Sequence, residues 1–214
     1  MKQLITIKLV CLLFFLCQQV SAADNWNMVK WVIDGDTVVL VDGQKMRYIG
    51  INAPELAHDD HEAEPYGEVS KRFNALLVNR KKVRLEFDKE RFDHYHRLLG
   101  YVFLENDSFV NAEILSNGYA YLLKHRPNAK YDSILLQSQR SAMSAKKGIW
   151  HDWRESTNTV IGNKNSHRFH LPTCPFGKRI KRRNRIVFRK KWDAYWEGYA
   201  PAKRCMPVFE IPED

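Results

Sequence analysis

Residues 26–51 read WNMVKWVIDGDTVVLVDGQKMRYIGI, and how this stretch turns decides the fold. Residues 26–33 and 37–41 are runs rich in β-branched and aromatic side chains, broken by Asp34-Gly35. The hairpin-type dipeptide Asp42-Gly43 leads into a third run at 45–51. Three strands joined by two successive turns predict a meander.

Working outward, residues 52–65 lose all periodicity and collect Pro54, His58, Asp59, Asp60, His61, Glu62, Glu64 and Pro65, which predicts an exposed acidic loop. The run His58-Asp59-Asp60-His61 has residue types that bind metals, but such runs are more often solvated loops. In residues 66–79, Val69, Phe73, Leu76 and Leu77 recur at helical spacing opposite Glu68, Lys71 and Arg72, which predicts a core-facing amphipathic helix. Val83, Leu85 and Phe87 alternate with Lys82, Arg84 and Glu86, and residues 98–104 close a set of five strands. Two more helices are expected. One spans 109–116, capped by Asp107 or Ser108 and stopped at Asn117-Gly118; the other spans 131–147 and ends at Gly148. Five strands and three helices fit an α+β, mainly β protein, a five-stranded OB-type barrel with helical additions.

The 214 residues, 44% hydrophobic and 12% aromatic, suffice for one core and a smaller appendage, and exclude a disordered chain. Residues 1–22 place two lysines before an apolar run and end in Val20-Ser21-Ala22. This reads as a signal peptide cut before Ala23, and the run is short of the ~20 residues a spanning helix needs. The expected organisation is a signal at 1–22, a barrel domain at 23–152 and a basic C-terminal module at 153–214. The mature protein is expected to be secreted or periplasmic. It keeps Cys174 and Cys205, which in an exported protein invite one disulfide.

Charge is segregated. Residues 23–150 carry 18 basic and 18 acidic side chains, whereas residues 151–214 carry 14 against 7. The excess is densest in Lys178, Arg179, Lys181, Arg182, Arg183, Arg185, Arg189, Lys190 and Lys191, a run that suits a polyanion such as nucleic acid. A solvated basic face, or a stretch that meets anionic lipid, is the competing reading.

Three clusters could carry chemistry on a phosphodiester, which needs an anion clamp, a placed water and compensation of developing charge. Val32-Ile33-Asp34-Gly35-Asp36-Thr37-Val38 flanks a turn glycine with carboxylates that can ligate a hard cation. In residues 47–55, a strand bearing Arg47 runs into a turn stiffened by Pro54 that carries Glu55. Phe92-Asp93-His94-Tyr95-His96-Arg97 delivers Arg97 at the start of the next strand.

In this order and spacing the clusters resemble the staphylococcal nuclease family over roughly residues 29–150. Tyr66-Gly67, Glu86-Phe87-Asp88, Val110-Asn111, Gly118 and Gly148-Ile149-Trp150 also match. The resemblance implies an OB-type barrel with three helices and a metal-dependent nuclease that cuts DNA and RNA and leaves 3′-phosphate ends. It implies Arg47 and Arg97 as phosphate clamps and Glu55 as the group that positions or deprotonates water. Asp36 is implied as the principal metal ligand, joined by Asn52 and the backbone carbonyl of Ala53. Calcium is the expected ion, with magnesium or manganese behind it. Asn52 stands where the family's best-known member has an aspartate, so the site has one charge fewer and a weaker hold on the ion.

Tyr95 and Tyr121 are candidates to stack on a nucleotide or, equally, to pack the barrel. In the tail, His170, Cys174, Asn184, Phe188, Ala194, Gly198-Tyr199 and Cys205 resemble a module related to the metal-binding domain of the Ada repair protein, with Ala202 where a fourth ligand is expected. A Cys174–Cys205 disulfide is therefore expected over zinc bound with His170. A monomer is expected. Two rival functions stand beside the enzyme: a catalytically inactive nucleic-acid-binding OB-fold protein, and a surface-associated protein that binds anionic envelope components.

Overall fold

The computed structural model describes residues 26–57, 62–154 and 159–205. The expected signal peptide and the His58-Asp59-Asp60-His61 run lie outside the described residues. Five strands close a barrel in the order β1-β2-β3-β6-β5: β1 (Trp26–Val32), β2 (Thr37–Leu40), β3 (Lys45–Tyr48), β5 (Lys82–Glu86) and β6 (Leu98–Phe103). Neighbours are antiparallel except β3 and β6, whose parallel register sets Arg47 opposite Leu99. The five-stranded barrel expected from alternation is thus present, filled by Val29, Val38, Leu40, Met46, Tyr48, Leu85 and Val102.

The third expected strand is split. Gly50 has φ +82°, a conformation L side chains avoid, and a Cβ there would meet Leu135 Cδ1 at 2.4 Å. The chain therefore leaves the barrel after Tyr48 and resumes as β4 (Gly50–Asn52). This pairs with β7 (Tyr121–Leu123), a strand not expected from the sequence. The detour brings Asn52 and Glu55 to the cleft described below.

Helix α1 (Gly67–Val78) buries Gly67, Ser70, Asn74 and Val78; Phe73 and Leu77 of the expected apolar stripe pack half-buried on the barrel core, while Leu76 is 75% exposed. Polar residues are buried beside them because each has a hydrogen-bond partner. Asn74 accepts from the Tyr48 hydroxyl at 3.1 Å and donates to the Asp34 carbonyl at 2.9 Å, and Ser70 donates to the Tyr119 carbonyl at 2.8 Å. Helices α2 (Val110–Ser116) and α3 (Asp132–Ser144) complete the barrel's cover. Phe109, not Asp107 or Ser108, occupies the N-cap of α2, and it has no side-chain cap bond. Buried Asn111 instead ties α2 to the barrel, donating to the Ile49 carbonyl at 2.8 Å and accepting from the Val102 N–H at 3.0 Å.

Beyond Trp150 the chain forms a second sheet in the order β10-β8-β9-β11: β8 (Val160–Asn163), β9 (Arg168–His170), β10 (Arg185–Phe188) and β11 (Ala200–Pro201). The short helices α4 (Pro175–Lys178) and α5 (Lys191–Trp196) accompany it. This module shares a core with β7, α3 and the turn at 148–150. Tyr121, Ala142, Met143, Ile149 and Trp150 pack with Val160, Phe169, Phe188, Tyr195 and Tyr199. Gln139 of α3 donates to the Tyr195 carbonyl at 2.5 Å while accepting from the Leu122 N–H at 2.6 Å, so one buried amide bridges both halves.

Ending the chain near Arg154 would uncover Trp150 and Tyr121, both 0% exposed. At about 1.5–3 kcal/mol for each large side chain, the loss is on the order of 5 kcal/mol, or about 10–20 °C in Tm for a chain of this size. Circular dichroism melts of the full and shortened proteins check this; equal Tm values would mean that the halves are stable separately.

Candidate active site

The Asp34-Gly35-Asp36 turn lies where α1, the β4 exit and the barrel converge. A Cβ on Gly35 would meet Ala53 Cβ at 2.4 Å and Ser70 Cβ at 2.7 Å, so only glycine lets this turn sit so close to both. Asp34 Oδ1 accepts from the Asp36 N–H at 2.9 Å. Asp36, 4% exposed, accepts from the Ala53 N–H at 2.6 Å and the Thr37 hydroxyl at 3.0 Å, and forms a buried ion pair with Arg47. Arg47 also donates to Asn52 Oδ1 at 2.8 Å. Burial raises the Asp34 pKa above the ordinary carboxylate range, with Arg47 opposing. Burial likewise lowers that of Arg47, with Asp34 opposing. Carboxylates and a guanidinium thus share one desolvated pocket.

Arg97 is held by Asp93 in a tight turn. Its backbone N–H reaches Asp93 Oδ1 at 2.9 Å, and Nε and Nη2 both reach Oδ2 at 2.7 Å. Burial pushes the Asp93 carboxyl upward, but the Arg97 N–H and guanidinium more than offset it, and its pKa falls below the usual value. Tyr95, 68% exposed, lies beside Arg97 with its ring centroid 5.4 Å from the guanidinium carbon. Glu55 is fixed through its backbone, donating to Glu64 Oε2 at 2.9 Å while its carbonyl accepts from the Glu64 N–H at 2.9 Å.

Asp34, Asp36, Arg47, Asn52, Glu55, Tyr95 and Arg97 all line one cleft of about 1000 Å³. Residues from three separate sequence clusters therefore face the same space. Paired guanidiniums can grip a phosphate through two N–H groups each. A half-exposed carboxylate can orient water and accept its proton. Hard oxygen donors from Asp34, Asp36 and Asn52 suit a divalent cation.

Other expected site residues are placed differently. Tyr121 borders the cleft but is 0% exposed, with its ring edge-on to Tyr195 at 5.8 Å. A ring with no free face cannot stack on a base, so it packs the core. Ala53 is buried and is not among the cleft-lining residues. Its carbonyl accepts from Asn52 Nδ2 at 3.1 Å, and its N–H donates to Asp36 at 2.6 Å. None of the nine basic residues from Lys178 to Lys191 lines the cleft. Lys191 is 7% exposed, and Arg185 spends its guanidinium on the Gly177 carbonyl at 3.1 Å; the other seven are exposed.

Cys174 and Cys205 are joined by a disulfide, with His170 Nδ1 3.5 Å and 3.6 Å from the two sulfurs. Sulfurs bonded to each other offer no thiolate to zinc. His167, whose ring packs on Tyr199 at 5.1 Å, lies outside this cluster, and burial lowers its pKa to about 4.

Cleft residues without a role in the sequence reading include Glu64, Phe176 and Arg204, and Asp34 is read there only as one of two carboxylates flanking the turn glycine. Arg168 and Lys203 lie outside the dense basic run, and only tertiary packing brings them in.

A closed five-stranded barrel with two carboxylate-anchored arginines and a half-exposed glutamate in one cleft defines an OB-type barrel protein built to act on a phosphate-bearing polyanion. Comparison with known proteins narrows the class. The family model described as "Staphylococcal nuclease homologue" matches residues 45–152. The thermonuclease of Staphylococcus hyicus is 39% identical over 133 residues, 61% of this chain and 78% of that protein. Endonuclease YncB of Bacillus subtilis is 39% identical over 123 residues, 55% and 58% of the respective chains. Endonuclease YhcR of the same organism is 30% identical over 213 residues, 87% of this chain and 17% of that protein, a match that necessarily runs past residue 152. The chain belongs to the staphylococcal nuclease family.

Proposed function

We propose that this chain is an exported, metal-dependent nuclease that cuts DNA and RNA with little regard for the sugar and leaves 3′-phosphate ends. Membership of the family makes it a nuclease, a hydrolase of phosphodiester bonds. The observation that carries the finer reading is the convergence of Arg47, Arg97 and Glu55 on one cleft beside a buried group of oxygen donors.

Arg47 and Arg97 grip the non-bridging oxygens of the scissile phosphate and offset the charge that builds there as phosphorus becomes five-coordinate. Their own carboxylate partners, Asp36 and Asp93, hold each guanidinium before substrate arrives, so little orientation is lost on binding. Glu55 orients the attacking water and takes its proton; the new bond is water oxygen to phosphorus, and the bond that breaks is phosphorus to the 5′ oxygen. Asp36 and Asn52, with Asp34 beside them, are the residues that would hold a divalent cation. The donors fit: all are hard oxygens, and the Asn52 carbonyl keeps a second lone pair while it accepts from Arg47. Bound there, the ion supplies Lewis-acid polarisation of a phosphate oxygen. The amide at Asn52 leaves the site one charge short, which favours a weak hold on the ion, calcium first.

The exposed lysines and arginines between Lys178 and Lys190 add a non-specific hold on the polyanion away from the cleft. Export is supported by the first 22 residues and by a disulfide suited to an oxidising compartment. Digestion of single-stranded DNA, duplex DNA and RNA by the protein starting at Ala23 tests the reading. Cleavage of all three with calcium, lost on chelation and leaving 3′-phosphate ends, is the expected result. Tight binding without cleavage in calcium, magnesium or manganese would transfer the chain to the silent nucleic-acid-binding class.

A further inference from the structure

We infer that the C-terminal sheet supplies a second bank of the cleft, on which Arg168 and Lys203, with Arg204 beside Phe176, bind the phosphates that flank the scissile one on the same strand. The inference rests on the nuclease reading above. At about 1000 Å³ the cleft is at the upper end of the roughly 300–1000 Å³ typical of sites for a single small ligand, and its walls come from both halves of the chain. The barrel side offers Arg47, Arg97 and Tyr95. The opposite side offers Arg168 and His170 from β9 and residues 201–205 at and after the end of β11, which pairs in parallel with β9.

Arg168 differs from both barrel arginines. Arg47 and Arg97 are each paired with an aspartate, whereas the guanidinium of Arg168 donates to carbonyl oxygens: Ser166 at 3.2 Å, His167 at 3.4 Å and Lys124 at 3.4 Å. Carbonyls fix its direction without cancelling its charge. Among the described residues no carboxylate pairs with it, and burial lowers its pKa. A largely buried, oriented, uncompensated cation facing a cleft favours an anion there.

Lys203 reaches the other end of the same wall, its Nζ 2.6 Å from Glu55 Oε1. An ammonium has three N–H groups, so one can steady Glu55 while the others meet a phosphate next to the reacting one. Both arms of this bank are fixed by the disulfide. Lys203 lies two residues before Cys205, and Phe176, 47% exposed and 5.8 Å from the Arg204 guanidinium carbon, lies two after Cys174. An exposed ring beside a cation can support a base of any identity. The dense run from Lys178 to Lys191 has no member in this wall.

The test compares kcat/KM on a single-stranded octadeoxynucleotide with that on a dinucleotide holding one phosphodiester, in the full mature protein and in R168Q/K203Q. The ratio of the two cancels whatever the substitutions do at the scissile phosphate itself. Flanking phosphates held by this bank predict that the octamer advantage falls at least about fivefold. They also predict that the salt dependence of octamer binding, measured in chelator, loses about 1.4 of its logarithmic slope, about 0.7 for each phosphate neutralised. K203Q/R204Q, altered only near the end of the described chain, gives a second reading that leaves the Arg168 hydrogen bonds intact. A smaller fall in the ratio for both variants, with an unchanged slope, overturns the inference while the nuclease reading stands. A parent protein that cleaves neither substrate overturns both.

Discussion

Replacing Glu55 by glutamine is expected to lower kcat on single-stranded DNA by about 10²–10⁴-fold, the range for loss of a positioned general base. KM should move little, because Arg47 and Arg97 remain to bind the phosphate. The substitution isolates the chemistry well. The backbone of Glu55 is held by Glu64 at 2.9 Å in both directions, and an amide oxygen can still accept from Lys203, so the loop has no reason to rearrange. What disappears is the capacity to accept a proton. Steady-state kinetics in calcium for Glu55→Gln and Glu64→Gln check the assignment. Less than a tenfold loss in the first with a large loss in the second would move the base to Glu64, which also lines the cleft.

The barrel was legible because each of its strands carries its own signal. Val83 and Leu85 alternate with charged residues, and Asp42-Gly43 marks a hairpin with two letters. The same local logic misled wherever a distant contact decides. Phe73 and Leu77 of the α1 stripe do pack on the core, but Ser70 and Asn74 are buried more deeply because their partners, Tyr119, Tyr48 and Asp34, are far away in sequence. The third strand breaks at Gly50 because Leu135 approaches it, which no window around residue 50 reveals. For the site, the roles of Arg47, Glu55 and Arg97 follow from the resemblance of their three clusters to the nuclease family; the structure sets Arg47 in β3, Arg97 just before β6 and Glu55 three residues past β4. Tyr121 was ambiguous since alternation cannot tell a cleft border from a free surface. Lys203 stands 148 residues from Glu55, and charge density pointed instead to the run at 178–191, whose members face elsewhere.

Arg47→Met should reveal that this arginine holds the site together as well as gripping substrate. Arg47 and Asp36 have side chains only 13% and 5% exposed, and Asp34 lies in the same desolvated pocket. Removing the guanidinium while keeping an apolar stem of similar length leaves buried carboxylate charge without its counter-charge, at a cost of about 3–5 kcal/mol. Activity should fall about 10²-fold or more, since one of two clamps on the developing phosphate charge is gone. Calcium then discriminates between structural and catalytic loss. An ion that binds only the folded state stabilises by about 2.7 kcal/mol at a hundred times its Kd. It should raise the Tm of Arg47→Met more than that of the parent, where the guanidinium already neutralises Asp36. Cleavage should stay low, because the ion restores charge balance but not the phosphate grip. Urea unfolding and thermal melts with calcium and with chelator measure both terms. Equal calcium shifts in the two proteins would show that the ion does not meet Asp36, and a loss below about 1 kcal/mol would show that the carboxylate is stabilised mainly by the Ala53 N–H and the Thr37 hydroxyl instead.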